Sequence, residues 1–113
     1  MGTVTFIAPL HPGKTEEWRE FNRTLSGPKA AEFAEMNKRF RVTRHAAWLQ
    51  ETPMGDLVIV LQEGPGAEEF MANLATSEHE FDAWMRERVS TLHPIDFNAE
   101  PPPPPQPGVD WSE

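Results

Sequence analysis

The chain has 113 residues, a formal net charge of −8, 38% hydrophobic and 25% charged residues, and no cysteine. That length makes one domain with a modest core. An acidic balance without a basic stripe argues against nucleic acid and anionic membrane as partners. Lack of cysteine excludes disulfides, thiol catalysis and cysteine-ligated metals.

Thr3 to Leu10 (TVTFIAPL) is rich in β-branched residues and stopped by Pro9, Pro12 and Gly13, which predicts a first strand. The opening MGTVTFIAPLHPG lacks a basic region, so it is not expected to be a signal peptide. No stretch approaches the ~20 apolar residues of a membrane span, and a cytoplasmic protein is expected. A helix starts at Lys14 or Thr15, with Trp18, Phe21 and Leu25 at helical spacing and Glu16–Arg19 and Glu20–Arg23 on its wet side. Ser26-Gly27-Pro28 breaks it. A second helical segment carries Phe33, Met36 or Asn37, and Phe40.

Thr43 to Glu63 reads as a hairpin. Its second strand, Leu57 to Leu61 (LVIVL), is the longest apolar run, and Pro53-Met54-Gly55-Asp56 supplies turn chemistry. With the turn placed on those four residues, Thr52 opposes Leu57. Trp48, Gln50, Ile59 and Leu61 then share one face, and Ala47, Leu49, Val58 and Val60 share the other. Both faces are apolar, whereas a sheet with one solvated face should alternate. One layer of helices covers one face, so the other is expected to meet a second copy of the chain. Val58 and Val60 are candidate interface positions on that reading.

Gly64-Pro65-Gly66 ends the strand without the lysine or glycine spacing of a phosphate loop. Helical periodicity resumes with Phe70 and Leu74, is interrupted at Thr76-Ser77, and restarts at a capping box, Ser77-x-x-Glu80. Phe81, Trp84 or Met85, and Leu92 continue it to His93, with Asp82–Arg86 expected as an outward pair. Ile95-Asp96-Phe97 is a candidate fourth strand. From Ala99 the chain is a proline-rich tail, polyproline II by composition, expected to dock on the partner subunit through Trp111.

The order strand, helix, strand, strand, helix, strand predicts an α+β fold: a ferredoxin-like split βαββαβ over residues 1–98 with an antiparallel sheet. Trp48-Leu49-Gln50-x-Thr52-Pro53-x-Gly55-Asp56, Ser77-x-x-x-Phe81-Asp82-x-Trp84 and His93-x-x-Asp96 resemble an uncharacterised bacterial family of the dimeric α/β-barrel superfamily, the one that holds antibiotic-biosynthesis monooxygenases. The resemblance implies a homodimer through sheet faces and brings no established activity. Where that pattern carries an acidic residue in the second strand, this chain has His45. Haem-degrading relatives use an asparagine in the first strand, and none stands there.

The residues leave two functions open. One is a small-molecule-binding or accessory dimer without established catalysis. The other is a cofactor-free monooxygenase- or isomerase-like enzyme acting on a small aromatic or polyketide-like substrate. No cofactor or metal is expected, since His11, His45, His79 and His93 lack metal-motif spacing. His11, past the first strand, and His79, at a helix start, are the candidate bases. Trp48, Gln50 and Trp84 are the candidate ligand contacts, in a pocket expected between helices and sheet with His11 at its mouth. A loop histidine, core tryptophans and an exposed glutamine explain the same residues without a ligand.

Overall fold

The computed structural model describes residues 2–100, 103 and 105–113. Strands β1 (Gly2–Pro9), β2 (Arg44–Thr52) and β3 (Gly55–Gly64) form an antiparallel sheet in the order β1-β3-β2. Helices α1 (Thr15–Ser26), α2 (Ala30–Arg39), α3 (Phe70–Thr76) and α4 (Glu80–Leu92) pack on one side of it. The architecture is α+β. The apolar β3 takes the central place, where both its edges are paired.

Between β2 and β3 the turn is tighter than the residues suggested. Thr52 pairs with Gly55, leaving Pro53 and Met54 as the loop. The Thr52 hydroxyl donates to the Gly55 carbonyl at 2.6 Å and accepts from the Met54 N–H at 3.2 Å. The register therefore differs by two residues from the expected one: Trp48 opposes Ile59 and Gln50 opposes Leu57. A slip of two preserves every face, whereas a slip of one would exchange them. Ala8, Val58, Val60 and Leu49 indeed face the helices, and Ile7, Ile59 and Trp48 face away. Val58 and Val60 thus belong to the covered face and cannot lie in a sheet-to-sheet interface.

Both breaks in the helical regions occur, after Ser26 and after Thr76. The expected capping box does not close. His79, in extended backbone, occupies the N-cap of α4, so Glu80 is the first helical residue, two positions short of the third, from which a capping-box side chain reaches back. Ser77 instead accepts the His79 N–H and donates to Asp82 at 2.6 Å. Asp82 is fully buried, not an outward partner of Arg86. Arg39 of α2 grips it with two bonds of 2.8 and 2.9 Å. Arg86 turns the other way and caps the Leu74 and Ser77 carbonyls.

Ile95–Phe97 form no strand. Asp96 closes a turn there, accepting from Asn98 and Ala99, and Ile95 and Phe97 pack back onto the core. His93 fixes the exit from α4: its Nδ1–H donates to the Pro9 carbonyl at 2.9 Å, tying the helix end to β1. In the tail, Pro101, Pro102 and Pro104, on which the polyproline expectation partly rests, lie outside the described residues. Val109 and Trp111 are exposed.

Two glycines set where β3 ends relative to α2. Gly64 has φ of +134°, and a Cβ there would stand 2.6 Å from the Arg41 carbonyl oxygen. At Gly66 a Cβ would stand 1.9 Å from the Phe40 carbonyl oxygen, and the Gly66 N–H donates to Arg41 O. This close passage brings the last residues of β3 beside the last turn of α2.

Candidate functional site

Buried apolar residues fall into two clusters. One, on the sheet, holds Ala8, Trp18, Val58, Val60 and Leu92; the other, among the helices, holds Leu25, Met36, Phe40, Phe70, Leu74 and Met85. Between them lies a cavity of about 210 Å³ whose wall draws on both. It reaches solvent beside Ser26 and Ala47, which line it and are exposed. Close packing is the norm in protein interiors, so a gap of this size between two layers is a feature to explain.

Two polar groups of the wall, His45 and Gln62, belong to a chain of hydrogen bonds with a fixed direction. Asn37 on α2 gives its Nδ2 to the Phe33 carbonyl at 3.0 Å, which can only accept. Its Oδ1 must then accept from His45 Nδ1, 3.0 Å away. His45 Nε2 is left as an acceptor and faces Gln62 Nε2 at 3.4 Å, a long bond. The chain ends at Gln62 Oε1, which is buried without a hydrogen-bond partner among the described residues. Gln62 is 1% exposed. An unpaired buried acceptor costs about 1–3 kcal/mol, so its retention on a cavity wall has functional interest.

His45 stands between two aromatic rings, with Phe33 at 5.2 Å and Phe70 edge-on at 5.0 Å. Burial pushes its pKa down from 6.5 to about 4, because the charged ring would lose its hydration there. The imidazole is therefore neutral at physiological pH. A histidine whose folded pKa is depressed contributes stability that is complete above 6.5 and is lost as pH falls toward 4. The loss amounts to roughly 3 kcal/mol. His93, also depressed by burial despite the bond to Pro9, acts in the same direction. We expect the melting temperature to fall between pH 7 and pH 4.5. Proton NMR of the His45 ring is the specific check; titration near 6.5 would contradict this assignment.

None of the side chains expected at the site lines this cavity. Trp48 and Gln50 stand on the open face of the sheet. Trp48 is 48% exposed, and the Gln50 side-chain amide donates to the Glu51 carbonyl. His79 is exposed at the start of α4. His11 is half-buried, with its N–H on the Leu92 carbonyl. Trp84 lies between Phe21 and Phe81, with the Lys29 ammonium 4.9 Å over its ring, beside a separate surface groove. The structure therefore does not gather these five residues into one pocket. Asp82, three residues after His79, is committed to Arg39 and Ser77.

The cavity itself does sit between helices and sheet, and His45 and Gln62 are the residues the sequence reading passed over. A signal was present: His45 continues the Ala47, Leu49 row, and Gln62 continues the Val58, Val60 row. With the observed register the two are directly opposed. Comparisons with protein-family models, curated proteins and solved structures returned no match.

Proposed function

We propose that the protein binds a small molecule in the cavity between sheet and helices, as a homodimer closed through the open sheet faces. The observation that carries the binding reading is Gln62, buried on the wall with an acceptor left unpaired at the end of an ordered chain. An apolar cavity with a few convergent polar groups is the usual form of a ligand site. The volume exceeds the about 150 Å³ that suffices for benzene.

The dimer reading rests on the sheet. Its β1-β3-β2 order is that of a ferredoxin-like sheet short of its last strand. On the uncovered side Ile7 is 63% exposed, in line with Ile59 and Trp48. A contiguous apolar face of this kind marks a protein contact. A second copy fits it because the same face pairs with itself about a two-fold axis. The exposed Trp111 and Val109 of the tail would pack on that second subunit.

A cofactor-free monooxygenase- or isomerase-like enzyme is the second reading. His45 is the wall group that could take a proton, but a pKa of about 4 makes it a weak base at neutral pH. Binding is the better supported function. Native mass spectrometry of freshly purified protein tests the proposal, with twice the chain mass and a dissociable small molecule expected. A bare monomer that also gains no thermal stability from a panel of single-ring compounds would contradict it. Ending the chain at residue 100 should lower the melting temperature and weaken the dimer; no change in either would show that the tail contributes nothing.

A further inference from the structure

We propose that the cavity selects an uncharged, ring-sized ligand carrying a hydroxyl donor, which is received by Gln62 Oε1. The proposal rests on the cavity being a binding site and adds the chemistry of what enters it.

Three observations carry it. First, the free polar atom is an acceptor. The Phe33 carbonyl forces the direction of the Asn37–His45–Gln62 chain, so the terminal group of that chain is an oxygen. Asn22, also on the wall, gives its Nδ2 to the Trp18 carbonyl at 2.7 Å, so its oxygen too is left as an acceptor. A ligand that pairs with these oxygens brings the hydrogen. Second, among the described residues the wall contains no lysine, arginine, aspartate or glutamate. A carboxylate or ammonium would lose its water there without a counter-charge, at a cost of several kcal/mol in a dry site. Third, the remaining wall is aromatic and aliphatic, with Phe6, Trp18, Phe21 and Phe70 among its members, and the volume suits one ring with a substituent.

A neutral hydroxyl on Gln62 Oε1 satisfies an acceptor that otherwise stays unpaired. One such bond, with the unpaired group relieved, corresponds to about tenfold in affinity over an isosteric ligand without the hydroxyl.

The test uses phenol, toluene and benzoate as probes of equal ring and graded chemistry, titrated into the full-length protein and followed by NMR. Wild type should bind phenol about tenfold or more tightly than toluene, with benzoate weakest. The Gln62 side-chain amide resonances should shift with phenol. In Gln62→Leu the phenol advantage should close to within about threefold while toluene binding persists. Equal binding of phenol and toluene by wild type, tightest binding of benzoate, or a phenol preference that survives in Gln62→Leu would each overturn the donor assignment. Cavity binding itself would survive those results. If Gln62→Leu does not fold, the wild-type ratio and the Gln62 amide shift decide. Failure of all three probes to bind overturns the cavity reading and this proposal together.

Discussion

Arg39→Leu should lose about 3–5 kcal/mol of stability, the range for stripping the partner from a buried charge. Asp82 has no solvent exposure, and its carboxylate is held by two guanidinium bonds and the Ser77 hydroxyl. Burial by itself pushes its pKa up. The bonds from Arg39 and Ser77, with the guanidinium charge, outweigh burial and hold it below the usual carboxylate range. In the wild type that contribution is present above the unfolded carboxylate pKa near ~4 and is lost as pH falls through the folded value. Without Arg39 the balance reverses. The carboxyl is driven upward, and the variant should gain back stability relative to wild type as pH drops from 7 toward 5. Urea unfolding at both pH values checks the sign. Arg39→Leu with Asp82→Leu should recover most of the loss, since a matched apolar pair leaves no orphaned charge. If the double variant is no more stable than Arg39→Leu, the ion pair is not what joins α2 to α4.

Lysines at adjacent positions of β3 should have opposite consequences. Val58 is 1% exposed beneath α1 and α4, so Val58→Lys puts an unpaired ammonium in the core, at a cost of more than about 4 kcal/mol, and unfolds the chain. Ile59 points to the open face between Ile7 and Trp48. Ile59→Lys can extend its amine into water in a lone subunit, yet it buries that charge in a face-to-face dimer. It should retain wild-type circular dichroism and scatter light as a monomer. Wild-type mass for Ile59→Lys would move the interface elsewhere.

Much of the fold was legible because period-two alternation is a local signal. The apolar run from Leu57 and the β-branched start of the chain marked two strands, and Ser26-Gly27-Pro28 and Thr76-Ser77 marked the helix breaks. Doubly apolar faces followed from parity alone, which survives a two-residue error in register. What was not legible depends on contacts between distant elements. The Asp82–Arg39 pair joins residues 43 apart, and helix spacing alone suggested Arg86 instead. Ile95–Phe97 looked like a strand by composition, but Asp96 closes a turn with its own following residues. The expected pocket residues are dispersed for the same reason. Tryptophans drew attention to Trp48 and Trp84, whereas His45 and Gln62 are the polar pair on the cavity wall. Their opposition appears only once the hairpin turn is known to have two residues.

Intermolecular nuclear Overhauser effects from bound phenol would locate a ligand in the proposed site between the sheet and the helices. Contacts are expected from the ring protons to methyls of both layers at once, Val60 on β3 together with Leu74 and Met85 on α3 and α4. Contacts confined to Ile7 and Ile59 on the open face, or to the groove beside Trp84, would contradict that placement.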